Sequence, residues 1–212
     1  MTERLKIIFS ELVSCKKFAD VGCDHGYIAK AMLDANKAER VIISDISAPS
    51  LKKAEDLLSA YPADRVKAVV CDGLSGVDGD CDQVLIAGMG GEEIVSILSA
   101  AENLPVHLVL QPMKNADKVR NKALSLGYRI VKDYVFKAGK FYFLLVCERG
   151  KDEYTDDELF FGRDNLNAPS ADFKEYARKE YAKYSAVAKR ADLSAEKRAE
   201  IEKIMERYGK FI

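Results

Sequence analysis

Short apolar runs alternate with helix-patterned segments from the start of the chain to about residue 150, and nothing else in the sequence restricts the possible folds as strongly. Strands separated by helices reach their parallel neighbours through crossovers, so the alternation predicts an α/β fold with a mostly parallel sheet covered on both faces. After a short amphipathic helix ending near Cys15, strands are expected at residues 18–21, 40–44, 66–70, 83–87 and 106–110. Helices are expected at 28–35, 50–61 (closed by Pro62), 92–101 and 116–126 (stopped by Gly127). The rhythm then breaks. Residues 128–136 and 141–148 are strand-like but separated only by Lys137-Ala138-Gly139-Lys140, too short for a crossover helix, and predict an antiparallel hairpin that completes a seven-stranded sheet.

Beyond residue 150 no strand signal returns. Residues 151–170 read as a polar connection containing Asp156-Asp157-Glu158, Gly162 and Pro169. Phe173, Ala177, Tyr181, Tyr184 and Ala188 then fall at helical spacing, as do Ile201, Ile204, Met205 and Tyr208, with Asp192 or Ser194 placed to cap the second helix. Two units are therefore expected: residues 1–150 as the α/β domain, and 151–212 as a linker with a two-helix antiparallel, coiled-coil-like tail. With 212 residues, 48% of them hydrophobic, the chain can bury one domain-sized core and carry such an appendage.

Charge and cysteine usage narrow the classes further. The 33 Lys+Arg and 34 Asp+Glu nearly cancel, so a nucleic-acid surface would have to come from uneven distribution. From Ser170 to Ile212 there are eleven Lys/Arg against eight Asp/Glu, leaving 22 against 26 elsewhere. No run approaches the ~20 apolar residues of a membrane span, and Met1-Thr2-Glu3-Arg4 lacks the charged-then-apolar order of a signal peptide. A cytoplasmic protein without membrane contact is expected. The five cysteines contain no C-x-x-C pair and read as reduced thiols; with only His25 and His107 as imidazoles, no metal site is expected.

The chemistry-bearing residues cluster where the strands should end. Strand one runs into Asp20-Val21-Gly22-Cys23-Asp24-His25-Gly26, a glycine turn at the edge where open α/β sheets bind ligands. The dinucleotide pattern G-x-G-x-x-G is not met, because Asp24 occupies the middle-glycine position. A carboxylate there repels a pyrophosphate and attracts an α-ammonium or sulfonium, which argues for S-adenosylmethionine over NAD; an ordinary tight βα turn is the competing reading. Strand two ends at Asp45-Ile46, about 20 residues on, where an acid can accept both ribose hydroxyls. Strand three ends at Asp72-Gly73, where an acid can accept from an adenine amine. Any one of these acids can be a cap or a surface residue; three at successive strand tips are a pattern.

Strand four leads through Ala87 into Gly88-Met89-Gly90-Gly91, a glycine-dense turn whose bare backbone groups can read a nucleobase edge. Strand five ends in Gln111-Pro112-Met113, with Gln111 able to orient a base and Pro112 to wall it. His25 serves either to position a ligand or to pack, since N1 of neutral adenine has a free lone pair and needs no general base. His107 reads as a core histidine.

On Asp20-Val-Gly-Cys-Asp24-His25-Gly-Tyr-Ile, Cys-Asp72-Gly73-Leu, Val-Leu-Ile-Ala87-Gly88-Met89-Gly90-Gly91 and Leu-Gln111-Pro112, the chain resembles the bacterial tRNA (adenine-N1)-methyltransferases acting on adenine 22 of the D-arm. The resemblance covers nearly the whole chain. It implies a Rossmann-like class I methyltransferase fold, S-adenosyl-L-methionine as donor and a structured tRNA as acceptor; no protein partner is implied, and a monomer is expected. In that setting Asp20, Gly22, Asp24, His25, Gly26, Asp45, Ile46, Asp72, Gly73, Ala87 and Gly88 are expected to hold the donor. Asp24, His25, Gly88, Met89, Gln111 and Pro112 are expected to position the adenine, and Lys114, Lys118, Arg120, Lys174, Arg178 and Lys179 to contact RNA. The sequence departs from the family picture at Asp45, where relatives include a glutamate, and at Met113, where a polar residue is expected. Two other readings stay open: a small-molecule methyltransferase, and a non-catalytic RNA-binding or coiled-coil protein.

Overall fold

The structure is a computed structural model that describes residues 1–190 and 192–212. Helix α1 (Glu3–Ser10) precedes β1 (Cys15–Val21), α2 (Tyr27–Asp34), β2 (Ala38–Asp45), α3 (Ala48–Leu58) and β3 (Val66–Val70). The second half contains β4 (Gln83–Met89), α4 (Gly91–Ala100), β5 (His107–Pro112), α5 (Ala116–Ser125), β6 (Tyr128–Ala138) and β7 (Lys140–Arg149). The seven strands lie in the order β3-β2-β1-β4-β5-β7-β6. The first five are parallel and β7 joins β5 antiparallel, Leu110 opposite Leu145, with β6 paired outside it. The hairpin turns on Gly139 alone, at φ +74°, so its strands are longer than the periodicity suggested. β1 likewise starts three residues early, at Cys15, whose amide donates to the Lys37 carbonyl.

Each face of the sheet has its own core. On one face Phe18, Val41, Ile43 and Leu85 meet Ile8 of α1, Met32 of α2 and Leu51 of α3. On the other, Ala19, Ile42, Ile86 and Leu110 meet Ile94 of α4 and Val119 of α5. Strands buried on both faces are apolar throughout, and this is why β4 and β5 read as continuous apolar runs.

The segment 151–170 is not the polar connection expected from its composition. It forms two short helices, α6 (Asp156–Phe161) and α7 (Arg163–Asn167), the first fixed by a capping box between Thr155 and Glu158. Side chains of α7 finish the sheet edge: Asp164 accepts from the Asp133 amide at 2.8 Å and Asn165 from the Val135 amide at 3.1 Å. Asp172, in α8 (Ala171–Ala188), accepts from the Lys137 amide at 2.9 Å. Side-chain oxygens thus occupy the edge-strand donors that would otherwise invite another strand.

The tail is α8 followed by α9 (Ala195–Gly209), capped by the Ser194 hydroxyl, while Asp192 pairs with Arg190 instead. Phe173, Ala177 and Tyr208 of the tail form a third core with Phe161 and with Val135 of β6, bound up by edge-to-face aromatic contacts such as Phe161–Phe173 at 5.9 Å. No described helix is long and apolar enough to cross a membrane.

Candidate active site

Strand β1 stops at Val21 because Gly22 turns the chain at φ +70°, and the turn is fastened to the tip of β2. The Ser44 carbonyl accepts from the Gly22 and Cys23 amides at 2.8 and 3.0 Å, and the Asp45 carboxylate accepts from the Asp24 amide at 3.2 Å and the Ser47 amide at 2.8 Å. Asp24 is held at φ +47°, a left-handed conformation that costs a non-glycine residue on the order of 1 kcal/mol and is common at binding sites. Gly26 caps α2 in the same conformation, and a Cβ there would lie 2.8 Å from the Ala54 Cβ. Gly26 therefore faces α3 and lets the two helices approach; it does not line the cavity.

That cavity, of about 350 Å³, lies over the turn and is lined by Asp20, Gly22, Asp24, His25, Ala87 and Gly88, with Thr2, Arg4 and Leu5 of α1 closing one side. Its size suits a nucleoside-containing small molecule. The Asp20 carboxyl is 6% exposed, and burial, together with the nearby Asp45 carboxylate, pushes it up to about 7, opposed by a hydrogen bond from the Ala29 amide. Among the described residues no lysine or arginine pairs with Asp20, Asp24 or Asp45; Asp24 has only the His25 imidazole, 3.7 Å away, which itself stacks on Tyr27. A buried acid without a salt-bridge partner, with Asp24 in the same lining, suits a positive group, while Arg4 in that lining is turned to Gln111.

At the tips of β2 and β3, Ile46 is 72% exposed beside Asp45, and Asp72 is exposed with its carboxylate unengaged in the hydrogen bonds of the described residues. An apolar side chain standing in solvent between two acceptors suits an adenosine, whose flat base it can cover. Gly73, at φ +57°, backs onto Ile97 and shapes the turn.

On the target side, Gly88 turns at φ +84°, and the Met89 Cε lies where a Cβ on Gly22 would be, so Met89 bridges the two glycine turns. Gln111 is fully buried and does not face the cavity directly. Its Oε1 accepts from Arg4 Nε at 2.8 Å, and its amide nitrogen donates to the Pro112 carbonyl at 3.1 Å. Arg4, lying 5.4 Å from the Tyr142 ring centre and against Gly88, is the polar group presented at this end.

A family model described as TrmK, tRNA (adenine(22)-N(1))-methyltransferase, matches residues 18–210. The chain belongs to that family. A candidate tRNA methyltransferase of Mycoplasma pneumoniae is 31% identical over 159 residues, 72% of this chain and 74% of that protein. The Bacillus subtilis tRNA (adenine(22)-N(1))-methyltransferase is 26% identical over 175 residues, 80% of this chain and 74% of that one. In fold, the chain is similar to the structure of M. capricolum TrmK in complex with S-adenosyl-homocysteine, with a TM-score of 0.90 at 19% identity, covering 100% of this chain and 97% of the other.

The structure brings together Asp20, Gly22, Asp24, His25, Ala87 and Gly88, and sets Asp45, Ile46, Asp72 and Gly73 along the adjoining strand tips. It corrects one expected RNA contact. Arg120 is fully buried, its Nε and Nη2 on the Asp133 carboxylate at 2.8–3.0 Å and its Nη1 on the Leu159 carbonyl at 2.9 Å. It ties α5, β6 and α6 together and never meets solvent. Lys118 is exposed but paired with Glu92 at 2.6 Å, whereas Lys114, Lys174, Arg178 and Lys179 are exposed and unpaired with carboxylates among the described residues. His107 is half-buried, 3.8 Å from Glu148, and sits at the start of β5 instead of in the core. Arg4 was missed because strand-tip reasoning assigns no role to a helix that precedes the first strand.

Proposed function

We infer that this chain transfers a methyl group from S-adenosylmethionine to N1 of adenine 22 in tRNA. The observation that carries the inference is a cavity lined by Asp20 and Asp24, neither in a salt bridge with a lysine or arginine among the described residues, with Asp45 fastening the turn beneath it and Gly88 at its far end, in a chain of the TrmK family. Bound in that chamber, S-adenosylmethionine supplies an electrophilic methyl on a cationic sulfur. Asp20 and Asp24 offer anionic contacts to its positive groups, Asp45 accepts from the ribose, and Ile46 and Asp72 flank the adenine.

The acceptor nitrogen needs no deprotonation before attack, so the residues on the target side act by position and by excluding water. Gly88 leaves room for the Arg4 guanidinium, which Gln111 fixes, and Met89 and Pro112 flank the base. A guanidinium beside a base that becomes cationic would oppose the reaction, so Arg4 acts best on the phosphate of the turned-out nucleotide, while Asp24 offsets the charge that develops on the ring. His25, stacked on Tyr27, positions Asp24. Lys114, Lys174, Arg178 and Lys179 bind the RNA backbone. The catalytic unit is residues 1–150, with 151–212 as the RNA-engaging element, and the protein works as a cytoplasmic monomer.

Calorimetric titration with S-adenosylmethionine, paired with methyl incorporation into bulk tRNA, tests this directly. Binding to the wild type, weakened at least tenfold in Asp24→Asn and Asp45→Asn, with label recovered as 1-methyladenosine, is the expected outcome. Binding without incorporation into RNA would favour a small-molecule acceptor, and no binding would leave a non-catalytic RNA-binding protein.

A further inference from the structure

A second cavity, of about 410 Å³, opens at the same sheet edge, between the start of α5, the start of β7 and the tail. Its walls are the rings of Phe141, Phe143, Phe160, Tyr176, Tyr184 and Tyr208. These rings meet mostly edge to face, Phe143 on Tyr176 at 86° and Phe160 on Tyr208 at 62°, while Tyr184 and Tyr208 lie more nearly parallel, at 22°. A cluster serving only to attach the tail would close on itself, as Phe161 and Phe173 do beneath it. Here the aromatic walls stay partly open, and the lining carries Lys114, Asp117 and the Lys183–Glu180 ion pair at 3.0 Å, with the Lys179 ammonium 5.7 Å from the Phe141 ring centre. Flat apolar walls with cations at the mouth match a nucleobase and its phosphate.

The cavity is joined to the active site by backbone. The Met113 amide donates to the Met89 carbonyl at 2.8 Å, and the Gly91 amide to the Lys114 carbonyl at 3.0 Å, so the turn expected to receive the target base is laced to the segment that opens the second cavity. Only Pro112 separates Gln111, which anchors Arg4, from Met113 on the cavity wall, a span of about 7 Å. Turning one base out of a stacked RNA exposes the faces of its neighbours, and capturing one of those faces on aromatic rings offsets part of that cost.

Resting on the tRNA-methyltransferase reading above, we propose that the aromatic cavity between the tail and the tip of β5 is a second nucleotide site, holding a base adjacent to adenine 22 while that adenine occupies the active site. Tail and catalytic face then grip one strand of RNA jointly, and the tail contributes to base turning as well as to affinity.

The test uses full-length protein and tRNA transcripts carrying 5-iodouridine at the nucleotide on either side of adenine 22. Irradiation followed by peptide mapping should place a cross-link from one of the two positions on the segments containing Phe141 and Phe143 or Tyr176 and Tyr184. Tyr184→Leu should remove it and raise KM for tRNA roughly tenfold, with S-adenosylmethionine affinity retained and Tyr184→Phe restoring KM. Methylated transcripts whose cross-links map elsewhere, or are absent, would overturn the second site alone. So would a Tyr184→Leu variant whose only change is a lower Tm. Transcripts that bind but are never methylated would instead overturn the acceptor reading beneath it.

Discussion

Asp20 carries the most informative titration in the molecule. Its folded-state pKa lies near 7, well above the ordinary carboxyl value, because burial and Asp45 disfavour its charge. Between about pH 4 and 7 the folded state therefore holds a proton that the unfolded state has released, and the ligand-free protein loses stability as pH rises through that window. Asp20→Asn is expected to remove this slope, read as Tm against pH. A cationic ligand reverses the preference by favouring the carboxylate, so S-adenosylmethionine should bind more tightly as pH rises through 7 in the wild type but not in Asp20→Asn, a difference calorimetry at pH 6 and 8 would register. Arg4→Ala should lower methyl transfer roughly 10²-fold, the scale of a misplaced target, with a much smaller change in donor affinity although Arg4 closes one side of the donor cavity; a change in donor affinity alone would make Arg4 a donor contact.

Helix α5 shows how burial decides the meaning of a charged residue. Its Arg120–Asp133 pair has no solvent to return to, so Arg120→Ala should cost about 3–5 kcal/mol in chemical denaturation, while the paired change Arg120→Met with Asp133→Leu should cost much less. A milder Arg120→Ala would mean that water reaches Asp133. The helical period carries the sign of this burial: Ala116, Val119, Arg120 and Ala123 share the buried stripe of α5, a position at which an arginine needs a buried partner. The strands and their tips were legible because doubly buried strands leave continuous apolar runs and their chemistry collects at one edge. Segment 151–170 was not, because α6 and α7 are too short to show a period, α6 packing through Phe161 and α7 capping β6 through Asp164 and Asn165. For Gln111, strand position was legible and orientation was not, since its partner Arg4 is 107 residues away in sequence.

At the scale of the whole molecule, the catalytic domain and tail share a core. Truncation after Ser170 would strip Phe173 and Tyr208 from Phe161 and Val135, so a sharp fall in Tm is expected and activity loss from that truncation would not isolate RNA binding. Charge reversal on the exposed face of α8, Lys174→Glu with Arg178→Glu and Lys179→Glu, leaves that core untouched. It should weaken tRNA binding and flatten the dependence of log Kd on log salt by roughly 2–3; an unchanged slope would move the RNA contact off the tail. The enzyme is defined by the atom that receives the methyl group. The most direct measurement is transfer from labelled S-adenosylmethionine to two unmodified tRNA transcripts, one with adenine and one with guanine at position 22, followed by nucleoside mass analysis. Label recovered as 1-methyladenosine from the first transcript and absent from the second is the predicted result. Equal labelling of both, or label in a different nucleoside, would contradict it.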